Sequence, residues 1–448
     1  MQEKEGFYLT VDEHRQMILD AERYIWEHPE TGFREWNTHA YLKEKMTALG
    51  YTTFFEPGDI PGFYVDIDFG RLGPKIGIFA EMDALLIPEH PQCDPKSGAV
   101  HACAHHCQCA AMLGVAAALA KPHAGESLCG SVRLYAVPAE ECIESSFRTE
   151  LMEKGILHFY GGKQEFMARG YLDGVDLGMM IHTGAENFVL NRGCVGTLVK
   201  TAIFHGKASH GASPAAGINA LYAATNALAA ANALREQFGE DASIRFHPLI
   251  TDCGKSVNVI PAHVRVESIL RASKVSTLHA ANTKLNRAFA GSALAMGCKV
   301  DLSDKIGYMP RVENSDLQSV FCDVAGDFFP PEKIRVNDGI EAGGTDMGDV
   351  SQVIPSVLAY VPCSRIPGHT ARFVVEDHES ACVTNAKLQL GFIAALLSGG
   401  AARAKAVLAN ADTHYKSIKD YLSDAASFSK TTDAVAYTDD GGATVSWN

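Results

Sequence analysis

The sequence predicts an α/β protein, an open sheet of strands alternating with helices, interrupted by a separately patterned β-α-β-β-α-β unit. Three observations predict it. Four short apolar runs, Ile76–Ala80, Val132–Val137, Leu177–Ile181 and Ser356–Val361, have the length of buried strands, and each is followed by a carboxylate or an imidazole. Between Gly196 and Asp304 the pattern changes. It reads as a strand (Gly196–Phe204), an Ala-rich helix (Pro214–Phe238), two strands (Ser243–Ile250 and His263–Leu270), a helix (Val275–Met296) and a last strand (Cys298–Leu302), the order of a ferredoxin-like unit. After Asp304 the β/α alternation resumes through Leu317–Phe328 and the strand near Ser356, so the unit reads as an insertion. The expected domains are 1–195 and 305–425, two parts of one main domain, with 196–304 inserted. Residues 426–448 form a polar tail whose Thr, Asp and Gly content predicts loose structure.

Before the first strand, the spacing of Met17, Ile18, Ala21, Tyr24 and Ile25, then of Ala40, Tyr41, Leu42 and Leu49, predicts two amphipathic helices between Thr10 and Leu49. The turn His28–Phe33 joins them, and Gly50 is placed to cap the second. A short strand pair is expected around Gly62–Asp68. Two further helices, Ala381–Leu397 and Ala401–Leu422, are expected near the end.

A chain of 448 residues with 47% hydrophobic content can bury sizeable cores in about two domains. Its 53 acidic and 39 basic side chains give a net charge of −14, which argues against nucleic acid as a partner. No apolar run is read as approaching the roughly 18 residues of a membrane span. The polar, acidic Met1–Gly6 is unlike a signal peptide, so a cytoplasmic chain with no membrane partner is expected. Its twelve cysteines are expected to be reduced.

The chemistry concentrates in Val100–Cys109, with three histidines and three cysteines in ten residues ahead of a small-residue helix, Ala110–Ala120. A helix N-terminus lowers the pKa of a nearby thiol, so Cys103 is expected to be available as a thiolate, able to bind a metal or attack a carbonyl. Glu140-Glu141 follows the second apolar run. Two adjacent carboxylates are expected to point apart, one binding a cation and one serving as a general base. With Cys103, His105, His182 and His369 they make a thiolate, imidazole and carboxylate set that suits zinc or manganese better than magnesium or calcium. Five ligands exceed one open tetrahedral site, and two ions sharing a bridging ligand or water is the economical reading.

His28-Pro29-Glu30-Thr31-Gly32-Phe33, Glu81-Met82-Asp83-Ala84-Leu85, His101-Ala102-Cys103-Ala104-His105, Pro138-Ala139-Glu140-Glu141, Gly206-Lys207-Ala208-Ser209-His210 and Asn258-Val259-Ile260-Pro261 occur in this order. Together they resemble the amidohydrolase branch of the aminoacylase/carboxypeptidase family of dimetal peptidases, which includes hydrolases of N-acyl amino acids, hippurate and indoleacetyl-amino acids. Gly344–Ser351 and Pro367–Thr370 resemble its aminobenzoyl-glutamate hydrolase members. The resemblance spans roughly Glu27 to Thr370. It implies a zinc-peptidase-like catalytic domain with a mixed sheet, a lid or dimerisation role for the insert, and a homodimer. It also implies two divalent metal ions and a small acyl amino acid or dipeptide-like substrate. Cys103, His105, Glu141, His182 and His369 match the metal ligands, Glu140 the general base, and Asp83 the carboxylate that orients the metal-binding turn. His210 matches a histidine that polarises the scissile carbonyl, commonly from the partner subunit. Asn258 and Arg271 match residues that hold the substrate carboxylate.

Two positions depart from the family pattern: Ala104 replaces the usual Gly, and His106 the usual Asp or Asn. Ala104 would strain the turn if φ there is positive. His106 can bind metal, contact substrate or point away. Leu85–Pro88 carries one extra residue. Blander readings stand beside these roles: Arg271 pairing with Glu267, Asp346 capping a helix. Two other functions remain open, a thiol hydrolase with Cys103 as nucleophile and a catalytically silent metal-binding or ligand-binding relative.

Overall fold

Helices α1 (Gln2–Glu13), α2 (Arg15–Glu27) and α3 (Trp36–Ala48) open the chain in a computed structural model that describes residues 2–239, 243–440 and 442–447. The first helix begins before Thr10, because Phe7 and Val11 also reach the core. α3 is anchored at both ends. Both oxygens of Glu30 accept backbone N–H groups of its first turn, from Asn37 at 3.1 Å and Thr38 at 2.9 Å. At its other end Gly50 (φ 103°) completes a Schellman closure, with Tyr51 N on Met46 O and Gly50 N on Thr47 O.

Strand β1 (Phe63–Asp68) is a single strand rather than the expected pair. β2 (Lys75–Glu81) leads to α4 (His105–Leu119), all of whose residues are buried. α4 packs against α1, α2 and α3, and its small side chains permit the approach: a Cβ on Gly114 would lie 2.7 Å from Ile18 Cδ1. β3 (Ser131–Val137) and β4 (Leu177–Gly184) follow.

The inserted pattern folds in the expected order: β5 (Gly196–His205), α5 (Ala220–Ala233), β6 (Arg245–Asp252), β7 (His263–Ala272), α6 (Val275–Ala295) and β8 (Lys299–Tyr308). The strands pair antiparallel in the order β8-β5-β7-β6, the 4-1-3-2 arrangement of a ferredoxin-like sheet. Asn219 caps α5 by accepting from Leu221 N at 2.9 Å.

β9 (Ser356–Pro362) then returns to the first sheet, an eight-stranded one in which five strands run β1-β3-β2-β4-β9 and Phe188–Cys194 pairs antiparallel beyond β9. β3, β2, β4 and β9 are parallel and β1 is antiparallel, so the sheet is mixed and four strands end at one edge. α7 (Asn385–Asn410) covers it and belongs with Glu379–Thr384 to a helical stretch that is, by length and composition, apolar enough to cross a membrane. That corrects the reading that no apolar run reaches this length. Its Leu388, Leu390, Phe392 and Ile393 are buried in the core, and Ser398–Ala401 break it with non-helical backbone. The helix expected to run to Leu422 stops at Asn410, and a separate one spans Ile418–Phe428.

The C-terminal tail is not loose. β10 (Lys430–Tyr437) pairs with β8, and β11 (Ala443–Val445) pairs with β10. Ala434 and Val435 are buried. Chain contacts divide the protein into two units, 1–192 with 312–339 and 345–418, and 193–311 with 340–344 and 419–448.

Candidate metal centre

The carboxyl ends of the four parallel strands, and the loops that follow them, converge in the first unit. Cys103, His105 and His182 bring ligand atoms within 4.8 Å of one another, and so do Cys103, Glu141 and His369. Cys103 belongs to both groups. Its Sγ lies 3.6 Å from His182 Nε2, and His369 Nε2 lies 3.1 Å from Glu141 Oε1. The five expected ligand positions thus meet in one place as two triads with a shared thiol.

The imidazoles are aimed by their other nitrogens. His105 Nδ1 sits 3.0 Å from both the carbonyl and Oδ1 of Asp83, and His182 Nδ1 2.9 Å from Thr183 O, which leaves Nε2 of each for a ligand role. Asp83 Oδ2 also accepts from Glu141 N at 2.7 Å, so one buried carboxylate fixes a ligand on each side. Burial opposes its charge, but the bond to His105 prevails and holds its pKa down at about 2. His369 takes a positive φ (60°) and bonds through its N–H to Ala102 O at 2.9 Å, tying its loop to the cysteine turn.

The Glu140-Glu141 turn rests on buried charges that no sequence pattern singles out. Glu35 accepts from Ala139 N at 2.7 Å, and burial pushes its carboxyl well above the usual range. Arg148, almost wholly buried, donates to the carbonyls of Glu141 and Tyr160. A Cβ on Gly32 would fall 2.6 Å from Arg148 Nη2, which accounts for glycine in the His28–Phe33 turn. The two carboxylates do not simply point apart, for both come within 4.8 Å of the His105 ligand atom; beyond it Glu141 faces Cys103 and His369, while Glu140 faces Glu81 and Asp346. Burial, then the charges of Glu81 and Glu141, push the Glu140 carboxyl well above its ordinary range. Lys163 answers this negative charge, with Nζ 2.5 Å from both Glu81 Oε1 and Asp346 Oδ1. Asp346 sits at a helix start but its side chain does not cap; it accepts from Lys163 instead.

One electrostatic expectation fails. The Cys103 thiol is pushed well above its ordinary pKa, because burial, with the charges of Glu141 and Glu140, outweighs His105. That direction counts against the thiolate on which a Cys103 nucleophile depends.

At the departures, Ala104 is left-handed (φ 61°, ψ 25°) and His106 points away from the triads, its Nε2 3.1 Å from Glu22 Oε1. A left-handed alanine costs about 1–2 kcal/mol, and glycine would return about 0.4–1 kcal/mol of that as unfolded-state entropy. Ala104→Gly is therefore expected to stabilise the chain by about 0.5–1 kcal/mol, read as a rise in the urea midpoint.

In the second unit, His210 and Asn258 are neighbours. His210 Nε2 lies 3.4 Å from Asn258 Nδ2, and Ala212 N donates to His210 Nδ1 at 3.0 Å; with Nδ1 accepting, the proton of a neutral imidazole sits on Nε2, and the Asn258 amide then turns its oxygen to it. Both residues are exposed beyond the end of the sheet where His205 pairs with His263. Arg271 is elsewhere. It pairs with Thr197, eight residues along β7 from His263, or roughly 26 Å. It does not pair with Glu267, which is held by Arg265 at 2.7 Å.

The triads fit divalent cations. Among the described residues, His105 Nε2 and Glu141 Oε1 are buried there with only ion-pair approaches, from Glu81 Oε2 at 3.2 Å and His369 Nε2 at 3.1 Å, and thiol, imidazole and carboxylate form a borderline donor set. Residues 77–389 match the model of peptidase family M20/M25/M40. The chain is 25% identical to one of the subunits of the p-aminobenzoyl-glutamate hydrolase of Escherichia coli, over 83% of its length and 86% of that protein's. It is 29% identical to the Xaa-Arg dipeptidase of Mus musculus over 78% and 77% of the two chains. Its fold is that of a dinuclear metal-binding M20 peptidase from Bacillus subtilis, with a TM-score of 0.68, 20% identity, and coverage of 86% and 99%. By the match across most of its length, this chain belongs to peptidase family M20/M25/M40.

Proposed function

We propose that the protein is a two-metal amidohydrolase that cleaves the amide bond of an N-acyl, aminobenzoyl or aminoacyl amino acid bearing a free carboxylate. The observation that carries this reading is the pair of triads sharing Cys103, with Glu140 alongside. Cys103, His105 and His182 would hold one ion, and Cys103, Glu141 and His369 the other. Zinc or manganese suits these donors. Bound ions supply Lewis acidity for activating water and polarising a carbonyl.

The chain's own groups supply the proton transfers. Glu140, kept basic by its buried neighbours, takes a proton from the attacking water and delivers it to the leaving amine. His210, protonated at Nε2, donates to the carbonyl oxygen as charge develops on it. Asn258 and Arg271 hold the substrate carboxylate, Arg271 through its guanidinium fork. Because Arg271 and the His210–Asn258 pair lie near opposite ends of β7, one copy cannot offer all three to a substrate far shorter than roughly 26 Å. That separation supports a homodimer in which the partner contributes His210 and Asn258. The twelve free cysteines are in keeping with a cytoplasmic location.

The test is metal content per chain together with release of free amine from a panel of N-acyl amino acids, aminobenzoyl-glutamate and dipeptides, before and after chelation. About two ions per chain and activity that falls on chelation and returns with zinc or manganese are expected. Hydrolysis that survives complete metal removal would return the case to Cys103 as a nucleophile. His210→Ala is expected to lower kcat by about 10²–10³, and mixing it with a Glu140→Gln chain should restore part of the activity through hybrid dimers. A near-normal rate for His210→Ala alone would remove His210 from the mechanism.

A further inference from the structure

The start of α4 carries a second set of donors that the centre above does not use. Cys103 and His105 face the triads, whereas His106 and Cys107, both wholly buried, face α2. His106 Nε2 lies 3.1 Å from Glu22 Oε1 and 3.5 Å from Cys107 Sγ, and the ligand atoms of all three fall within 4.8 Å of one another. His378 Nδ1 approaches the same Glu22 oxygen at 3.2 Å.

We propose that Glu22, His106, Cys107 and His378 form a further, structural cation site that takes zinc and is separate from the centre built on Cys103.

Three donors, from Glu22, His106 and Cys107, lie within 4.8 Å of one another, and His378 reaches the cluster through Glu22. Zinc bonds of about 2.0–2.3 Å in a tetrahedron put neighbouring donors about 3.3–3.7 Å apart; His106 Nε2 and Cys107 Sγ, at 3.5 Å, stand at that spacing, and the contacts of the two imidazoles with Glu22 are slightly shorter. His106 Nε2 carries at most one proton, which can serve Glu22 or Cys107 but not both. A divalent ion would engage the carboxylate, the thiolate and both imidazoles, and the thiol proton would leave to solvent. Cys363 and Cys382 lie within hydrogen-bonding reach of Cys107, so the sulfur side of the cluster is also thiol-rich. The His378 side chain is 51% exposed and gives an ion a route in. The site would tie together α2, the start of α4 and the segment before Glu379, three parts of the chain far apart in sequence.

The decisive experiment uses the full chain carrying Cys103→Ala and His182→Ala, which removes both triads whether or not they bind two ions. After dialysis against zinc and then against zinc-free buffer, about one zinc per chain should remain, and its removal should lower the thermal midpoint. Adding His106→Asn or Glu22→Gln should abolish both effects. A folded chain that retains no zinc, or retains it equally with those changes, overturns the proposal. Should the doubly substituted chain not fold, His106→Asn alone decides: one ion fewer per chain than the unaltered protein supports the site, and unchanged metal content overturns it.

Discussion

Glu140→Gln is expected to lower amide hydrolysis by about 10²–10⁴, mostly in kcat, with the metal content unchanged. Glutamine keeps the size of the side chain and removes only its ability to accept a proton. Glu140 faces Glu81 and Asp346 as well as the ligands, and burial, then the negative charges of Glu81, Glu141 and Asp346, raise its affinity for the proton it must take and return. Glu141→Gln should behave differently. Glu141 faces Cys103 and His369, so its loss should lower metal occupancy as well as rate. Kinetics paired with metal analysis of both variants separates the two roles. If Glu140→Gln shed metal and Glu141→Gln kept it, the assignment of base and ligand would be reversed, and if both kept full activity it would be abandoned.

The parts of this architecture that could be read from the sequence were those carried by local pattern. Short apolar runs ending in Glu81, Glu140, His182 and near His369 are parallel strands, because a strand buried on both faces has no polar alternation to show. The insert was legible because its helices and strands alternate at lengths peculiar to the ferredoxin-like order. What escaped were groups whose partners lie far away in the chain. Lys163, Arg148, Glu35 and Glu22 are ordinary charged residues by sequence and are buried only because Glu81, Ala139, Glu141 and His106 come to meet them. The helix-start argument for Cys103 failed for a related reason: it counted one local dipole and not the burial of the thiol, nor the two carboxylates folded in from Glu141 and Glu140. The tail was misread on composition. Thr431, Thr432 and Asp433 are polar, yet they pair as a strand against Ser303, Leu302 and Asp301 on an edge of β8, which a composition argument does not anticipate.

Lys163→Met is expected to destabilise the first unit by about 3–5 kcal/mol, the cost of removing one partner from a buried ion network. Methionine fills similar volume, so the loss would be electrostatic rather than a cavity. Lys163 is fully buried between Glu81 and Asp346. Burial would by itself lower its pKa, but Asp346, Glu81 and Glu140 outweigh burial and keep it charged. The same cation holds Glu81 ionised against its own burial. Without it three carboxylates, Glu81, Glu140 and Asp346, would share one buried space with no neutralising charge from Lys163, and protons would be forced onto at least one of them. The urea midpoint measures the loss. Adding Asp346→Asn should recover part of it, because the two changes remove opposite charges from one contact, and a coupling of about 0.5–3 kcal/mol in the double-mutant cycle is the signature. A Lys163→Met chain as stable as the unaltered protein, with no coupling to Asp346→Asn, would mean that the carboxylates beside Glu140 are neutral in the folded protein, and the high proton affinity assigned to Glu140 would lose its electrostatic source.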